Sequence, residues 1–163
     1  FVFVRSFNIR HCEWNEINFE TKEWIIPASK MKTKSEFILP LSNYVIELLE
    51  KVKKFTSDSK YVFPSFKDKN RPMSDNTLIS ALRRMGYTKE EFVPHSFRAM
   101  FSTIAYENMN EHQCSGEVIE ALLAHKETNK VKEAYNRATY KQGMKKLIDW
   151  YSNHLTFIVQ IKI

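Results

Sequence analysis

The sequence has few of the residues that interrupt or cross-link a chain: three glycines, five prolines and two cysteines among 163 residues. So few glycines and prolines leave little room for flexible linkers, and we find no internal repeat or low-complexity stretch. Cys12 and Cys114 form no CxxC pair and no disulfide framework, which fits a reducing cytoplasm. We therefore expect a single domain with its own hydrophobic core.

Long apolar segments are also lacking. No run approaches the roughly 18 residues that are needed to cross a bilayer, which argues against a membrane protein. The opening FVFV is too short for the core of a signal peptide and lacks a cleavage site. It is typical of a chain that begins inside a hydrophobic element, so we expect further sequence upstream.

Positive charge is in excess, because 25 Lys and Arg side chains face 19 Asp and Glu, which gives a net charge of +6 at pH 7. The sequence pI is about 9.2, and the hydrophobic fraction of 43% is that of a soluble globular protein. This balance permits a polyanionic partner such as nucleic acid, although many ordinary proteins are equally basic.

The first third of the sequence predicts a short helix followed by β structure. Residues Ile17 to Ala28 place a turn between two segments rich in aromatic and β-branched residues, and Glu36 to Leu41 predicts a further strand. The basic sequence SKMKTKS lies between them as a hairpin tip. Apolar residues then recur at helical spacing over Asn43 to Phe55.

The chain from residue 72 onward predicts helices. Pro72 and Ser74 give a start signal for one helix, Pro94 precedes a second, and Ser115 is placed to cap a third. Two further helical segments, KVKEAYNRA and KQGMKKLIDWYSNHL, precede an apolar, β-prone tail, TFIVQIKI. The expected class is α+β, a mostly helical domain with a small antiparallel sheet near the N-terminus.

Several basic or phenolic side chains are suited to phosphoryl transfer. They are Arg5, Lys32, the pair His95 and Arg98 in HSFR, His125 in LLAH, and Tyr135 in AYNRA. Taken singly, each has an ordinary structural interpretation: a solvated charge, an ion-paired arginine, a histidine at a helix end or a half-buried tyrosine. Their order is more specific, because HxxR is followed by LLAH and then by a tyrosine ten residues after the second histidine.

This pattern resembles the tyrosine recombinase family, especially phage and genomic-island integrases. The resemblance covers almost the whole chain, from FVFVRSFNIRHCEWNEI through EFILPLS, YVFPS, NTLISALRRMGY and PHSFR to IEALLAHKETNKVKEAYNRATY and the aromatic helix ending near His154. It implies a catalytic domain over residues 1–155, a tail over residues 156–163, and an upstream DNA-clamping domain outside this sequence.

The resemblance also implies a function: integration or excision of a mobile element, by strand cleavage and rejoining through a covalent 3′-phosphotyrosyl intermediate. The implied partners are double-stranded DNA and other protomers on that DNA, in the bacterial cytoplasm. No cofactor and no metal is implied, because arginines stabilise the charge.

The same resemblance implies a role for each residue. Arg5 and Arg98 hold the non-bridging phosphate oxygens with their planar guanidinium forks. Tyr135 is the nucleophile, and His95 fills or assists the role of the base that takes the phenol proton. His125 donates a hydrogen bond to the phosphate or positions the nucleophile.

The family's general acid, which protonates the departing 5′ oxygen, lies on a hairpin shortly before a strand that ends in an apolar–Pro–Leu pattern. Counting eight residues back from Pro40 gives Lys32. Lys30 and Lys34 are alternatives that match this spacing less well.

Tyr140 is an alternative nucleophile. Tyr135 lies ten residues after His125, as the family spacing requires, whereas Tyr140 lies fifteen after and opens the next helical segment. On a continuous helix the two tyrosines point about 140° apart, so they cannot face the same phosphate. We expect Tyr135 to attack and Tyr140 to be structural.

Two positions depart from the family pattern. Asn8 stands where a supporting Glu is common, and Ala124 stands where the residue before the second histidine is often Gly. The alternative functions are a catalytically silent DNA-binding remnant of an integrase and a type IB topoisomerase-like relaxer. A metal site around His112 and Cys114 lacks CxxC or HxxxH spacing and is not favoured.

Overall fold

The computed structural model describes the backbone of residues 1–124 and 130–159, and the side chains of residues 1–124 and 140–158. The strands are β1 (Ile17–Asn18), β2 (Glu23–Ile26) and β3 (Phe37–Pro40). The helices are α1 (Ser6–Arg10), α2 (Asn43–Thr56), α3 (Asp75–Arg84), α4 (Ser96–Glu107), α5 (Met109–His112), α6 (Gly116–Leu122) and α7 (Lys130–Val159), with 3-10 helices at Trp14–Glu16 and Ala28–Lys30. This composition confirms the predicted α+β class. None of the described helices is long and apolar enough to cross a membrane.

The three strands form an antiparallel sheet in the order β1–β2–β3. The first turn closes because Asn18 Oδ1 accepts hydrogen bonds from the backbone N–H groups of Glu20 and Thr21, each at 3.0 Å. Trp24 lies opposite Leu39 in the β2–β3 register, and both side chains are buried. The strands predicted within residues 17–28 and 36–41 are therefore confirmed.

An aromatic cluster joins the N-terminal segment to α4 and α7. The rings of Phe3 and Phe101 stack with centroids 3.5 Å apart, and Tyr151 meets both of them edge-on. Burial raises the pKa of Tyr151 to about 12, and burying a large apolar side chain contributes about 1.5–3 kcal/mol. The cluster fixes the backbone two residues before Arg5 and one turn after Arg98.

α7 is one helix of 30 residues, not the two segments that the sequence predicts, so Tyr140 lies inside it. The prediction of a β-prone tail is wrong for residues 156–159, which continue the helix; residues 160–163 lie outside the described part. Thr156 keeps its helical conformation while its Oγ1 donates to the carbonyl oxygen of Ser152, one turn earlier, at 3.0 Å. α7 approaches α6 closely at Gly143, where an added Cβ would lie 2.9 Å from Cγ2 of Val118.

Candidate active site

Arg98 lies in the first turn of α4, and only 8% of its surface is exposed. Its Nη1 donates to the carbonyl oxygen of Phe3 at 3.1 Å, and its Nη2 donates to that of Leu123. These two carbonyls come from parts of the chain that are distant in sequence. The buried guanidinium is thus oriented by backbone carbonyls on two sides, and within residues 1–124 and 140–158 no carboxylate forms a salt bridge with it.

Arg5 lies at the N-cap of α1, where its backbone is extended. Its carbonyl accepts hydrogen bonds from the N–H groups of Asn8 (2.9 Å) and Ile9 (3.3 Å), which fixes the residue at the start of the helix. Burial and then the positive charge of Arg5 lower the pKa of Arg98, and the carboxylate of Glu120 opposes them. Two guanidinium groups are thus held close together in the fold. A bound anion would relieve their repulsion.

A small cleft brings these two arginines together. It is lined by Arg5, Asn8, Met31, Phe37, Arg98 and Ala124. The lining therefore comes from α1, α4, the end of α6, and the loop and strand after β2. Two guanidinium groups between apolar walls suit a phosphate group, because the walls strengthen their field and each fork can bind two oxygens.

The three lysines of the β2–β3 connection have different surroundings. Lys30 is only 17% exposed in its side chain, and its Nζ donates to His11 O (2.6 Å), Glu13 Oε1 (3.0 Å) and Glu16 Oε1 (2.5 Å). Burial lowers the pKa of Lys30, but the hydrogen bonds that it donates to Glu16 and Glu13 outweigh this effect, and the pKa is raised. Lys32 and Lys34 are exposed, and Lys34 has a left-handed φ of 55°. Lys30 is held in ion pairs with Glu13 and Glu16, so Lys32 and Lys34 remain as candidates for the proton donor.

His95 lies at the N-cap of α4, and its side chain makes no capping hydrogen bond. Its carbonyl accepts from the N–H groups of Arg98 (3.0 Å) and Ala99 (3.4 Å), while the imidazole is exposed. The imidazole therefore does not cap the helix. His95 does not line the cleft, but it begins the helix that carries Arg98.

α6 ends in a left-handed turn directly before the position of His125. Leu123 has a φ of −76° and Ala124 has a φ of +48°, a region in which glycine is favoured. The bond from Arg98 to the carbonyl of Leu123 holds this turn. His125 itself and the side chain of Tyr135 lie outside the described residues.

His112 and Cys114 serve the core. His112 is 1% exposed, and its Nε2 donates to the carbonyl of Ala105 at 2.7 Å while its Nδ1 accepts from the N–H of Cys114 at 3.0 Å. Both ring nitrogens are thus occupied by backbone. Within residues 1–124 and 140–158, no three His, Cys, Asp or Glu side chains are grouped to hold a metal ion.

Sequence reasoning missed two features beside the cleft. Asn8 Nδ2 donates to the carbonyl of Lys30 at 2.9 Å, and the Lys30 side chain pairs with Glu13 and Glu16. The spacing of Glu13 and Glu16 was an available signal, since they close a capping box around the 3-10 helix. Nothing in the sequence indicated that Lys30 would be their common partner.

Comparison with known proteins matches residues 3–142 to the phage integrase family. The prophage integrase IntA of Escherichia coli strain K12 is 36% identical over 150 residues, which are 92% of this chain and 35% of that protein. The integrases of Enterobacteria phage P4 and Shigella phage Sf6 are 35% and 33% identical, over 94% and 93% of this chain and 37% and 38% of their own lengths. This chain thus spans little more than a third of these relatives, and no solved structure matches it significantly. The resemblance inferred from the sequence is confirmed, and this chain belongs to the phage integrase family.

Proposed function

We propose that this chain is the catalytic part of a site-specific recombinase that cuts and rejoins DNA strands through a phosphotyrosine. The observation that carries the proposal is the pairing of Arg5 with a buried, backbone-oriented Arg98 in one cleft. Two guanidinium cations held in this way favour an anion that has several oxygens, and a DNA phosphodiester is such an anion. Membership of the phage integrase family supports the same assignment.

In the proposed cleavage step, the phenolic oxygen of Tyr135 attacks phosphorus and the bond to the 5′ oxygen breaks. The phenol proton passes to His95, since a phenol with an ordinary pKa of about 10 needs a base at neutral pH. Lys32 gives a proton to the departing 5′ oxygen, while Arg5 and Arg98 hold the non-bridging oxygens as negative charge develops. The phosphotyrosine keeps an ester bond, so a 5′ hydroxyl can attack it and rejoin the strand.

The surroundings of Arg98 support its role in that step. The carbonyls of Phe3 and Leu123 orient the guanidinium before DNA arrives, so its remaining N–H donors need little reorganisation during the reaction. Leu123 lies two residues before His125, to which we assign a hydrogen bond to the same phosphate or to the nucleophile. Arg98 therefore contacts both the N-terminal segment that precedes Arg5 and the turn that precedes His125.

We infer double-stranded DNA as the substrate and other copies of the same protein on that DNA as partners. The net charge of +6 favours a polyanion. The relatives are named as phage and prophage integrases, which supports integration or excision of a mobile element in the bacterial cytoplasm as the outcome.

Covalent capture tests the proposal. The chain is incubated with a pool of nicked DNA duplexes of random sequence, adducts are isolated under denaturing conditions, and the peptide that carries DNA is identified by mass spectrometry. We expect an adduct at Tyr135 that is lost in Tyr135→Phe, whereas DNA binding is retained. Tyr140→Phe is the matched control, because it removes the hydrogen bond from Tyr140 Oη to Glu117 Oε2 (3.0 Å) and should leave the adduct in place.

Three results would change the assignment. DNA attached to Tyr140 would reverse the choice of nucleophile. Binding without any adduct from the parental chain would instead indicate a silent DNA-binding remnant. Adducts without sequence preference, together with relaxation of supercoiled DNA, would indicate a topoisomerase-like activity.

A further inference from the structure

Asn8 occupies a buried position between the candidate phosphate site and the basic loop. It is 3% exposed, and its Nδ2 donates to the carbonyl of Lys30 at 2.9 Å and lies 3.8 Å from Sδ of Met31. A carbonyl oxygen can only accept a hydrogen bond, so the atom that faces it must be a donor. An ionised Glu or Asp at this position would place a second acceptor against that carbonyl.

The backbone that Asn8 holds is also fixed from its other side. The Lys30 ammonium group reaches Glu13 and Glu16, and Glu16 Oε2 accepts from Nε1 of Trp24 on β2 at 3.1 Å. Lys30 is therefore tied by its carbonyl to α1 and by its side chain to the sheet. The next residue, Met31, is buried, and Lys32 is the first exposed residue beyond this anchored segment.

Asn8 is also tied to Arg5. Its backbone N–H donates to the carbonyl of Arg5 at 2.9 Å, and α1 keeps the two residues one turn apart. The link from Arg5 to the Lys30 carbonyl thus passes through a single residue. Few rotatable bonds lie between them, so the distance from the phosphate-binding arginine to the base of the basic loop is closely set.

We propose that Asn8 is a positioning residue that sets the Lys32 loop relative to Arg5, and that this chain needs a hydrogen-bond donor at position 8. The inference rests on the proposed function, because it assumes that Lys32 protonates the leaving oxygen. Asn8 acts through the carbonyl of Lys30, to which its side-chain amide donates. The amide in place of the usual Glu is then matched to its local partner rather than being a sign of lost activity.

The test compares two forms of a duplex recovered by covalent capture, one with the ordinary 5′ oxygen and one with sulfur at the 5′-bridging position. Sulfur is a leaving group that needs no proton, so it rescues defects in the general acid. Asn8→Leu keeps the side-chain size and removes the donor, and single-turnover cleavage of the oxygen substrate should fall about tenfold or more because the acid is misplaced. The sulfur substrate should recover most of the parental rate.

A matched control is Asn108→Leu. Asn108 Nδ2 also donates to a backbone carbonyl, that of Ile104 at 2.8 Å, but Asn108 lies at the end of α4 and outside the cleft. It should lower thermal stability without a cleavage defect that sulfur rescues. Lys32→Ala should be rescued by sulfur, and the double variant with Asn8→Leu should cleave the oxygen substrate no more slowly than Lys32→Ala alone, since the two changes act on one step.

The outcomes separate this inference from the proposed function. If Lys32→Ala is rescued by sulfur but Asn8→Leu is equally slow on both substrates, the positioning role of Asn8 is overturned and Lys32 keeps its role. If Lys32→Ala is not rescued, the assigned acid is wrong and the inference fails with it. If Asn8→Leu does not fold, as judged by circular dichroism, Asn8→Asp replaces it, because it has the same size and no donor when ionised.

Discussion

Ala124 has a φ of +48° at the end of α6, and glycine should be preferred there. An L-residue in the left-handed conformation costs about 1–2 kcal/mol, because its Cβ crowds the following carbonyl oxygen. Ala124→Gly removes this strain but adds backbone entropy to the unfolded chain, which costs about 0.5–1 kcal/mol for glycine relative to alanine. The net effect on the free energy of unfolding is therefore a small stabilisation.

A second variant isolates the strain. Ala121 lies in the same helix and is also partly buried against the core, but it has ordinary helical geometry. Ala121→Gly carries the same entropy cost and the same loss of a methyl group, without relief of strain. The two variants should differ in free energy of unfolding by about 1–2 kcal/mol, or in Tm by about 2–8 °C for a chain of this size. Thermal unfolding measures this difference, and equal destabilisation by both variants would refute a left-handed Ala124.

Three further predictions concern the cleft, the DNA surface and the end of α7. Arg98→Lys should lower cleavage by about a hundredfold or more, since lysine lacks the planar fork that binds two oxygens; parental cleavage rates in single-turnover assays would refute its role. DNA affinity should fall by about a thousandfold between 50 and 200 mM salt if some six phosphates are contacted. The slope of log affinity against log salt concentration should be reduced more by Arg84→Ala than by Arg83→Ala, because Arg83 donates to two backbone carbonyls while Arg84 is exposed. Equal slopes for the two variants would contradict a phosphate contact by Arg84. Phe157 and Ile158 are 86% and 60% exposed, and we expect them to dock onto a neighbouring protomer on DNA. Replacing both with Ser should therefore leave Tm unchanged and weaken assembly on DNA in gel-shift assays, and unchanged assembly would reject this docking.

The sequence predicted elements that carry a strong local signal. α2 was found because its buried residues follow helical spacing, and β3 because it is a short apolar run of strand-forming residues, although its buried residues are adjacent rather than alternating. Ser74 and Ser115 stand at helix N-caps, without a side-chain capping hydrogen bond. The continuity of α7 was missed because Thr139 and Tyr140 interrupt the amphipathic pattern, yet neither is a helix breaker, so the helix continues through them. Lys141 Nζ pairs with Glu23 Oε1 on β2 at 2.7 Å, close to the predicted break between the two segments.

The sequence singled out residues of the candidate site but not the hydrogen bonds and ion pairs that hold them. The order of HxxR and LLAH singled out Arg98, which the structure places in the cleft, and His125, which lies outside the described residues and stays a prediction. The carbonyls that orient Arg98, and the carboxylates that bind Lys30, come from segments that meet only when the chain folds. Backbone groups leave no trace in the sequence, because every residue carries the same ones.

The hydrogen bond between Arg98 and the carbonyl of Phe3 joins residues that are 95 positions apart. Contacts of such long range form only after a large loop has closed, so they are established with the global fold and not before it. A nascent or partly unfolded chain contains Arg5 and Arg98 but has no oriented guanidinium at the cleft. Under the proposed function, DNA cleavage is therefore coupled to complete folding, because a partly folded copy lacks the oriented guanidinium of Arg98.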